Sequence, residues 1–222
     1  MLKVNETFVS INGEGPRSGQ LATFVRFAGC NLNCSYCDTS YSTDLKTAQF
    51  EDMSVEEVFG IVVSTGIKNV VLTGGEPLTQ PRDEMFHLIE KLISEGFQVD
   101  IETNGAVALP TGLLGVSGLC FIMDYKLPSS GMEIKMVLNN FMLLTRYDMV
   151  KFVCGSERDL EKAFEIIEQY NLDKLVKVYL SPVFGQIEPA TIVEKLKEKK
   201  MNGPAVQLQI HKIIWDPEMR GV

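Results

Sequence analysis

The chain lacks any long apolar run. Nothing in its 222 residues approaches the roughly 18 consecutive apolar residues that cross a bilayer. The segment from Met1 to Phe8 also lacks the basic patch and apolar stretch of a secretory signal. A soluble, cytoplasmic protein with no membrane partner is expected. Positive charge is in short supply as well, with 21 Lys and Arg against 29 Asp and Glu and a net charge of −8. Nucleic-acid surfaces need concentrated cations, so no nucleic-acid partner is expected and a small substrate fits better. A local basic patch for an electron-transfer partner remains compatible with this balance. Cysteine is too sparse and too unevenly placed for a disulfide framework. Three of the five fall within the eight residues from Cys30 to Cys37, while Cys120 and Cys154 sit in apolar, strand-like contexts. The cluster suits a metal centre, and the other two suit small buried hydrophobes.

No repeat, low-complexity run or linker divides the chain, so residues 1–222 are expected to form one domain. Leu21 to Ala28 is an apolar, β-branched run leading straight into Gly29 and the cysteines, which places them just past a strand end. Ser54-Val55-Glu56-Glu57 is a capping box opening a helix to about Ser64, with Gly66 beyond it. Asn69 to Leu72 predicts a strand before Thr73-Gly74-Gly75-Glu76-Pro77. Asp83 to Glu95 predicts an amphipathic helix with Phe86, Ile89 and Ile93 on one face and His87 toward solvent. Further strands are predicted over Gln98 to Glu102, Leu119 to Asp124, Met149 to Val153, Lys177 to Leu180 and Ala205 to Ile210, with helices entered at Ser156 and at Glu188-Pro189. Pro110 to Gly118 predicts a surface loop or short helix. Such alternation implies parallel strands with crossover helices, in an open doubly wound sheet or a partial barrel, with the motifs gathered at the carboxyl ends of the strands.

Cys30-Asn31-Leu32-Asn33-Cys34-Ser35-Tyr36-Cys37 has CxxxCxxC spacing. Three thiolates so placed can hold three irons of a 4Fe-4S cubane and leave the fourth open to another ligand. Structural zinc is the competing assignment. Zinc usually closes with four Cys or His ligands, and neither His87 nor His211 stands at a zinc-finger spacing from the loop. Gly74-Gly75 lets backbone approach a ligand closely, and Glu76 serves either as electrostatic support for that contact or as a turn-stabilising carboxylate. Arg26 is a planar donor suited to a carboxylate or else a structural arginine. Asn12 and the Gly13-Glu14-Gly15 turn offer amide and backbone groups to a ligand or simply make a turn.

The cysteine motif with an aromatic before its last Cys, followed by GGEP, resembles the radical S-adenosylmethionine superfamily, and hence implies an α/β partial TIM-like barrel. The wider set resembles the 7-carboxy-7-deazaguanine synthases nearly end to end: Ile11-Asn12-Gly13-Glu14-Gly15-Pro16, Arg26, Cys37-Asp38-Thr39, Thr73-Gly74-Gly75-Glu76-Pro77, Glu102-Thr103-Asn104-Gly105 and Asp124-Tyr125-Lys126. That resemblance implies S-adenosylmethionine chelated to the open iron and cleaved to a 5′-deoxyadenosyl radical. It implies a carbon–nitrogen lyase reaction, the ring contraction of 6-carboxy-5,6,7,8-tetrahydropterin to 7-carboxy-7-deazaguanine with loss of ammonia. A magnesium ion on Thr39, a homodimer and an electron donor such as flavodoxin are also implied. Substrate contacts would come from Ile11, Asn12, Gly13, Glu14, Arg26, Thr73, His211 and Val222. S-adenosylmethionine would be held by Gly75, Glu76, Glu102, Asn104, Asp124, Tyr125, Lys126, Ser181 and Pro182. The family usually has Gln where this chain has Asn12, so a backbone contact alone is expected there. The rival assignments are a glycyl-radical-enzyme activating enzyme, which would need a protein substrate, and a zinc-binding interaction module. Cys37→Ala is expected to abolish the iron-sulfur absorption and turnover together; retention of either would remove the cluster assignment.

Overall fold

The computed structural model describes residues 1–222, and its elements follow from a period-two division of labour along each strand. The strands are β1 (Leu2–Ile11), β2 (Leu21–Phe27), β3 (Glu51–Met53), β4 (Asn69–Gly74), β5 (Gln98–Thr103), β6 (Leu119–Tyr125), β7 (Met149–Cys154), β8 (Lys177–Pro182) and β9 (Ala205–Val206). The helices are α1 (Val55–Ser64), α2 (Arg82–Ser94), α3 (Glu157–Tyr170), α4 (Leu172–Leu175), α5 (Pro189–Lys199) and α6 (His211–Ile214). Val70, Leu72, Val99, Ile101, Phe121, Met123, Val150, Phe152, Val178 and Leu180 turn to one face and share a buried core with Val58, Val62, Leu88, Leu92, Leu160 and Ile167 of the helices. The intervening residues, among them Thr73, Glu102, Asp124, Lys151 and Ser181, must face the other way. No helix is long and apolar enough to cross a membrane.

The local signals act as expected at the helix ends. Ser54 accepts from the Glu57 amide, and Glu57 accepts in return from the Ser54 amide, closing the capping box of α1. Ser156 caps α3 through the Asp159 amide, and α5 begins at Pro189. The helix predicted over Asp83 to Glu95 lies one residue earlier, and its buried face is Met85, Leu88, Ile89 and Leu92, with Phe86 and Ile93 only flanking it. His87 is exposed. Pro110 to Gly118 contains one 3-10 turn at Thr111–Leu113 that buries Leu113.

One nine-stranded sheet runs in the order β3-β1-β2-β4-β5-β6-β7-β8-β9. From β2 through β9 neighbours are parallel, as the alternation implied, but β1 pairs antiparallel with both β2 and β3. These two strands escape the alternation because no helix precedes or separates them. The final strand is shorter than the predicted Ala205 to Ile210. It ends at Val206 because Gln207 turns inward, its side chain donating to Gly15 O at 3.2 Å and accepting from Gly15 N at 3.0 Å.

The sheet is curved. Five inter-strand steps of about 4.8 Å would hold β1 and β7 roughly 24 Å apart in a flat sheet. Yet Glu14, just past β1, forms an ion pair with Lys151 of β7. Arg17 of the same turn reaches Asp100 of β5. The hairpin turn therefore tucks beneath the inner face and, with Gln207, completes a partial barrel. Its position corrects an expectation: the Asn12–Gly15 turn precedes β2 and lies at the amino ends of the strands, whereas the cysteine loop leaves their carboxyl ends. Gln207→Ala removes both bonds to Gly15 and is expected to cost about 1–2 kcal/mol, measured as a lowered urea midpoint with an unchanged slope.

Candidate active site

The cysteine loop is held by its neighbours' backbones. The Gly75 amide donates to Phe27 O at 2.9 Å, and the Glu76 amide donates to Gly29 O at 2.9 Å. A side chain at Gly75 would collide with the Gly29 carbonyl, so this close approach demands glycine. Cys30, Cys34 and Cys37 are free and partly exposed, while Cys120 and Cys154 are buried, as expected. Leu32 N and Asn104 Nδ2 lie 3.4 and 3.6 Å from Cys30 Sγ, and Thr39 Oγ1 lies 3.7 Å from Cys37 Sγ. Burial pushes the Cys30 and Cys34 thiols up. No three Cys, His, Asp or Glu groups converge as a single metal ion requires; a cubane instead spreads its thiolates over separate irons.

Glu76 is resolved in favour of turn stabilisation. Its carboxylate is fully buried and accepts from Leu78 N at 3.0 Å, Thr103 Oγ1 at 2.9 Å and Asn104 N at 2.7 Å. It thereby ties the β4 turn to the end of β5, where Asn104 reaches the cysteine loop through Asn31 Oδ1 at 2.8 Å. Burial raises its pKa to about 6 despite those donors.

Below the loop, the inner face carries a belt of polar groups in register. Glu6 pairs with Arg26, Arg26 neighbours Thr73, and Thr73 Oγ1 donates to Glu102 at 2.6 Å. Arg26 Nε donates to Glu6 Oε1 at 2.7 Å, so the guanidinium already has an internal partner, though one reaching only Nε. Burial raises Glu102, offset in part by Lys151. Asp124 and Lys151 are register neighbours, 3.3 Å apart at Oδ1 and Nζ, and Lys126 Nζ donates to Asp124 Oδ2 at 2.9 Å. Burial acts against the charge on Asp124, but Lys126 and Lys151 outweigh it and hold the carboxyl below its usual range. The same carboxylates keep Lys151 protonated well above the ordinary lysine range.

Some predicted site residues are used differently. Asn12 is buried, its Nδ2 donating to Asp100 Oδ2 at 3.3 Å and its Oδ1 accepting from Glu14 N at 3.3 Å. Its side chain braces the turn. The Tyr125 ring lies on the core side of β6, against Phe141 and Phe152, and so points away from Asp124. His211 opens α6 with its ring packed on Gly13, where a side chain would collide with Nδ1, and burial lowers its pKa. Ile11 ends β1 above the turn, Pro182 ends β8 beside Cys154, and Val222 is partly buried. Lys212 Nζ lies 3.3 Å from Asp38 Oδ2, joining the C-terminal segment to the cysteine loop.

Four buried polar atoms have no partner: Ser10 Oγ, Glu14 Oε1, Asp124 Oδ1 and Ser181 Oγ. For Asp124 Oδ1 the Lys151 ammonium lies within ion-pair distance but outside hydrogen-bond geometry. All four lie on inner-face positions or on the turn beneath it. Buried polar groups are normally satisfied, so such a cluster is a fitting surface for a polar ligand. Thiolates above and orphaned oxygens below suit an iron-sulfur cluster with S-adenosylmethionine and a polar substrate.

The Radical SAM superfamily model matches residues 24–110, from β2 through the β5 turn. A 7-carboxy-7-deazaguanine synthase from Clostridium acetobutylicum is 50% identical over 221 residues, covering 99% of each chain. This chain belongs to the 7-carboxy-7-deazaguanine synthase family. Family members from Leptospira interrogans and Methanospirillum hungatei are 35% and 38% identical, over 99% and 97% of this chain and 97% and 86% of their own. The crystal structure of QueE from Escherichia coli, at 23% identity, superposes with a TM-score of 0.70 over 94% of this chain and 93% of that one, which supports the partial-barrel fold. Membership in the family leaves the glycyl-radical-activating and zinc-module alternatives without support.

Sequence reasoning missed Lys151, Glu6, Asp100 and Gln207. A signal existed for two of them: Lys151 and Asp100 interrupt apolar strand segments, and charges on buried strands are retained only when paired. Glu6 and Gln207 carry no such signal, because their partners are distant in sequence.

The raised pKa of Glu76 has a measurable sign. A carboxyl at about 6 in the folded chain against 4.5 ordinarily favours the protonated form. Its contribution is therefore greatest below pH 4.5 and is lost as pH rises through 6. Glu76→Gln removes that dependence, so its destabilisation should shrink by about 2 kcal/mol between pH 4 and pH 7, read from urea denaturation at both pH values.

Proposed function

We propose that this chain makes 7-carboxy-7-deazaguanine, the product its family name gives, from 6-carboxy-5,6,7,8-tetrahydropterin with loss of ammonia. The observation that carries the proposal is the set of orphaned oxygens on Ser10, Glu14, Asp124 and Ser181, enclosed beneath three free cysteines. When bound, the 4Fe-4S cluster and S-adenosylmethionine supply reductive cleavage and hydrogen abstraction. Cys30, Cys34 and Cys37 hold the cluster. Asp124, Lys126, Asn104, Ser181 and the Gly75 backbone form the upper wall, suited to the ammonium, carboxylate and hydroxyls of S-adenosylmethionine.

The lower wall suits the pterin. Glu14 Oε1 has no internal partner and is open to the amino-pyrimidine edge, and the terminal nitrogens of Arg26, left free by its Nε bond to Glu6, can take a carboxylate. His211, its pKa lowered by burial, stands as a neutral imidazole over the turn. Thr39 places a hydroxyl oxygen beside the cysteine loop, consistent with magnesium's preference for oxygen donors. A homodimer, a flavodoxin-type reductant and a cytoplasmic setting complete the proposal.

Anaerobic incubation of the reconstituted protein with dithionite, S-adenosylmethionine, magnesium and the carboxypterin is expected to yield the deazaguanine chromophore. Cofactor cleavage without a deazapurine would overturn the substrate. Thr39→Ala should keep the cluster and blunt the response to added magnesium; an unaltered magnesium response would refute that ligand.

A further inference from the structure

Lys151 is absent from the motifs that define the site, yet it is the most enclosed cation on the inner face. Its side chain is 8% exposed. Glu14 meets it from the turn below and Asp124 from the adjacent strand, with Glu102 close behind on β5. Glu14 meets the ammonium through Oε2 and leaves Oε1 without a partner, whereas Asp124 turns Oδ1 to Lys151 at 3.3 Å and Oδ2 to Lys126 at 2.9 Å. One ammonium thus joins the turn beneath the inner face to β6, and Glu14 keeps one oxygen free.

We infer that Lys151 is a positioning residue that ties Glu14 to Asp124 and so turns the free Glu14 oxygen toward the substrate. The inference rests on the proposed placement of the substrate over the Glu14 turn. A buried carboxylate without a cation takes up a proton, and a protonated Glu14 could no longer accept from a ligand amide in the same way. Lys151 prevents that for Glu14. Lys126 can serve Asp124 but has no contact with Glu14. Around this group the other ionisable side chains are Asp38, Arg26, His211 and Lys212 across the cavity, and Tyr179 beside it on β8. None of them bonds to Glu14 or Asp124. Their positions place no second cation where Lys151 stands.

The test compares reconstituted holoenzyme with Lys151→Met and Lys151→Arg. Carboxypterin affinity is measured by equilibrium dialysis from pH 6 to pH 9, and the ratio of variant to wild-type Kd cancels the ligand's own titration. Lys151→Met is expected to weaken binding roughly tenfold at pH 7, with the ratio falling toward one as pH rises and the uncompensated Glu14 carboxylate ionises. S-adenosylmethionine affinity should change less, because Lys126 stays on Asp124. Lys151→Arg keeps the cation and should hold the ratio near one throughout. A Lys151→Met ratio of one at all pH values, or a uniform loss without pH dependence, would overturn the inference. Should Lys151→Met lose its cluster, Lys151→Arg still decides, since a pH-independent tenfold loss there would also overturn it. Wild-type protein that binds no carboxypterin would mark failure of the substrate assignment, a result distinct from either variant's ratio.

Discussion

Charge enclosed on the concave side of the sheet has to be matched nearly atom for atom, and that requirement governs how the chain closes. Lys151, Asp124, Lys126, Glu14, Glu102, Arg26 and Glu6 occupy one continuous wall. Leaving one member unpaired would be strongly destabilising, because a buried ion without its partner keeps its desolvation cost and loses the compensation. Pairing Glu14 with Lys151 obliges the hairpin turn to reach across the barrel. Arg17 with Asp100, and Gln207 with Gly15, secure that reach from two other directions. The cavity cannot collapse on itself, since its lining is polar and its edges are tied.

Much of the architecture was legible because the helix-side face follows local rules. Apolar alternation located β2 and β4 through β8, and capping residues located the starts of α1, α3 and α5 within a residue. The cysteine loop and GGEP turn were legible for a different reason: their chemistry depends on spacing within a short segment, which a sequence displays directly. The expected α/β partial barrel accordingly stands, apart from the antiparallel β1 and β3 and the shortened β9. β1 departs because it forms a local hairpin with β2 with no helix between them, while β3 and β9 depend on sequence-distant partners. Val206 ends its strand for the sake of Gly15, 191 positions earlier in the numbering, and nothing near Val206 announces it.

The candidate site was legible in its parts more than in its use of them. Asn12, Glu76 and Tyr125 sit where the motifs put them, but Asn12 braces a turn, Glu76 ties two loops, and Tyr125 belongs to the core. A motif identifies the residues a backbone geometry requires without separating those that touch a ligand from those that hold the ones that do. Strand parity makes that separation. Tyr125 and Asp124 are adjacent in sequence and cannot both face the cavity, so one of them had to be structural.

Parity also explains why the site is read from two ends. In a parallel α/β sheet ligands gather at the carboxyl ends of the strands, where the cysteine loop, the Gly75 turn and Asn104 stand here. The antiparallel β1 reverses the chain before β2, and its turn enters from the amino ends. Glu14 thus enters the cavity from the side opposite the cysteines. The antiparallel hairpin, a departure from the alternating pattern, is therefore what gives the open barrel end a floor.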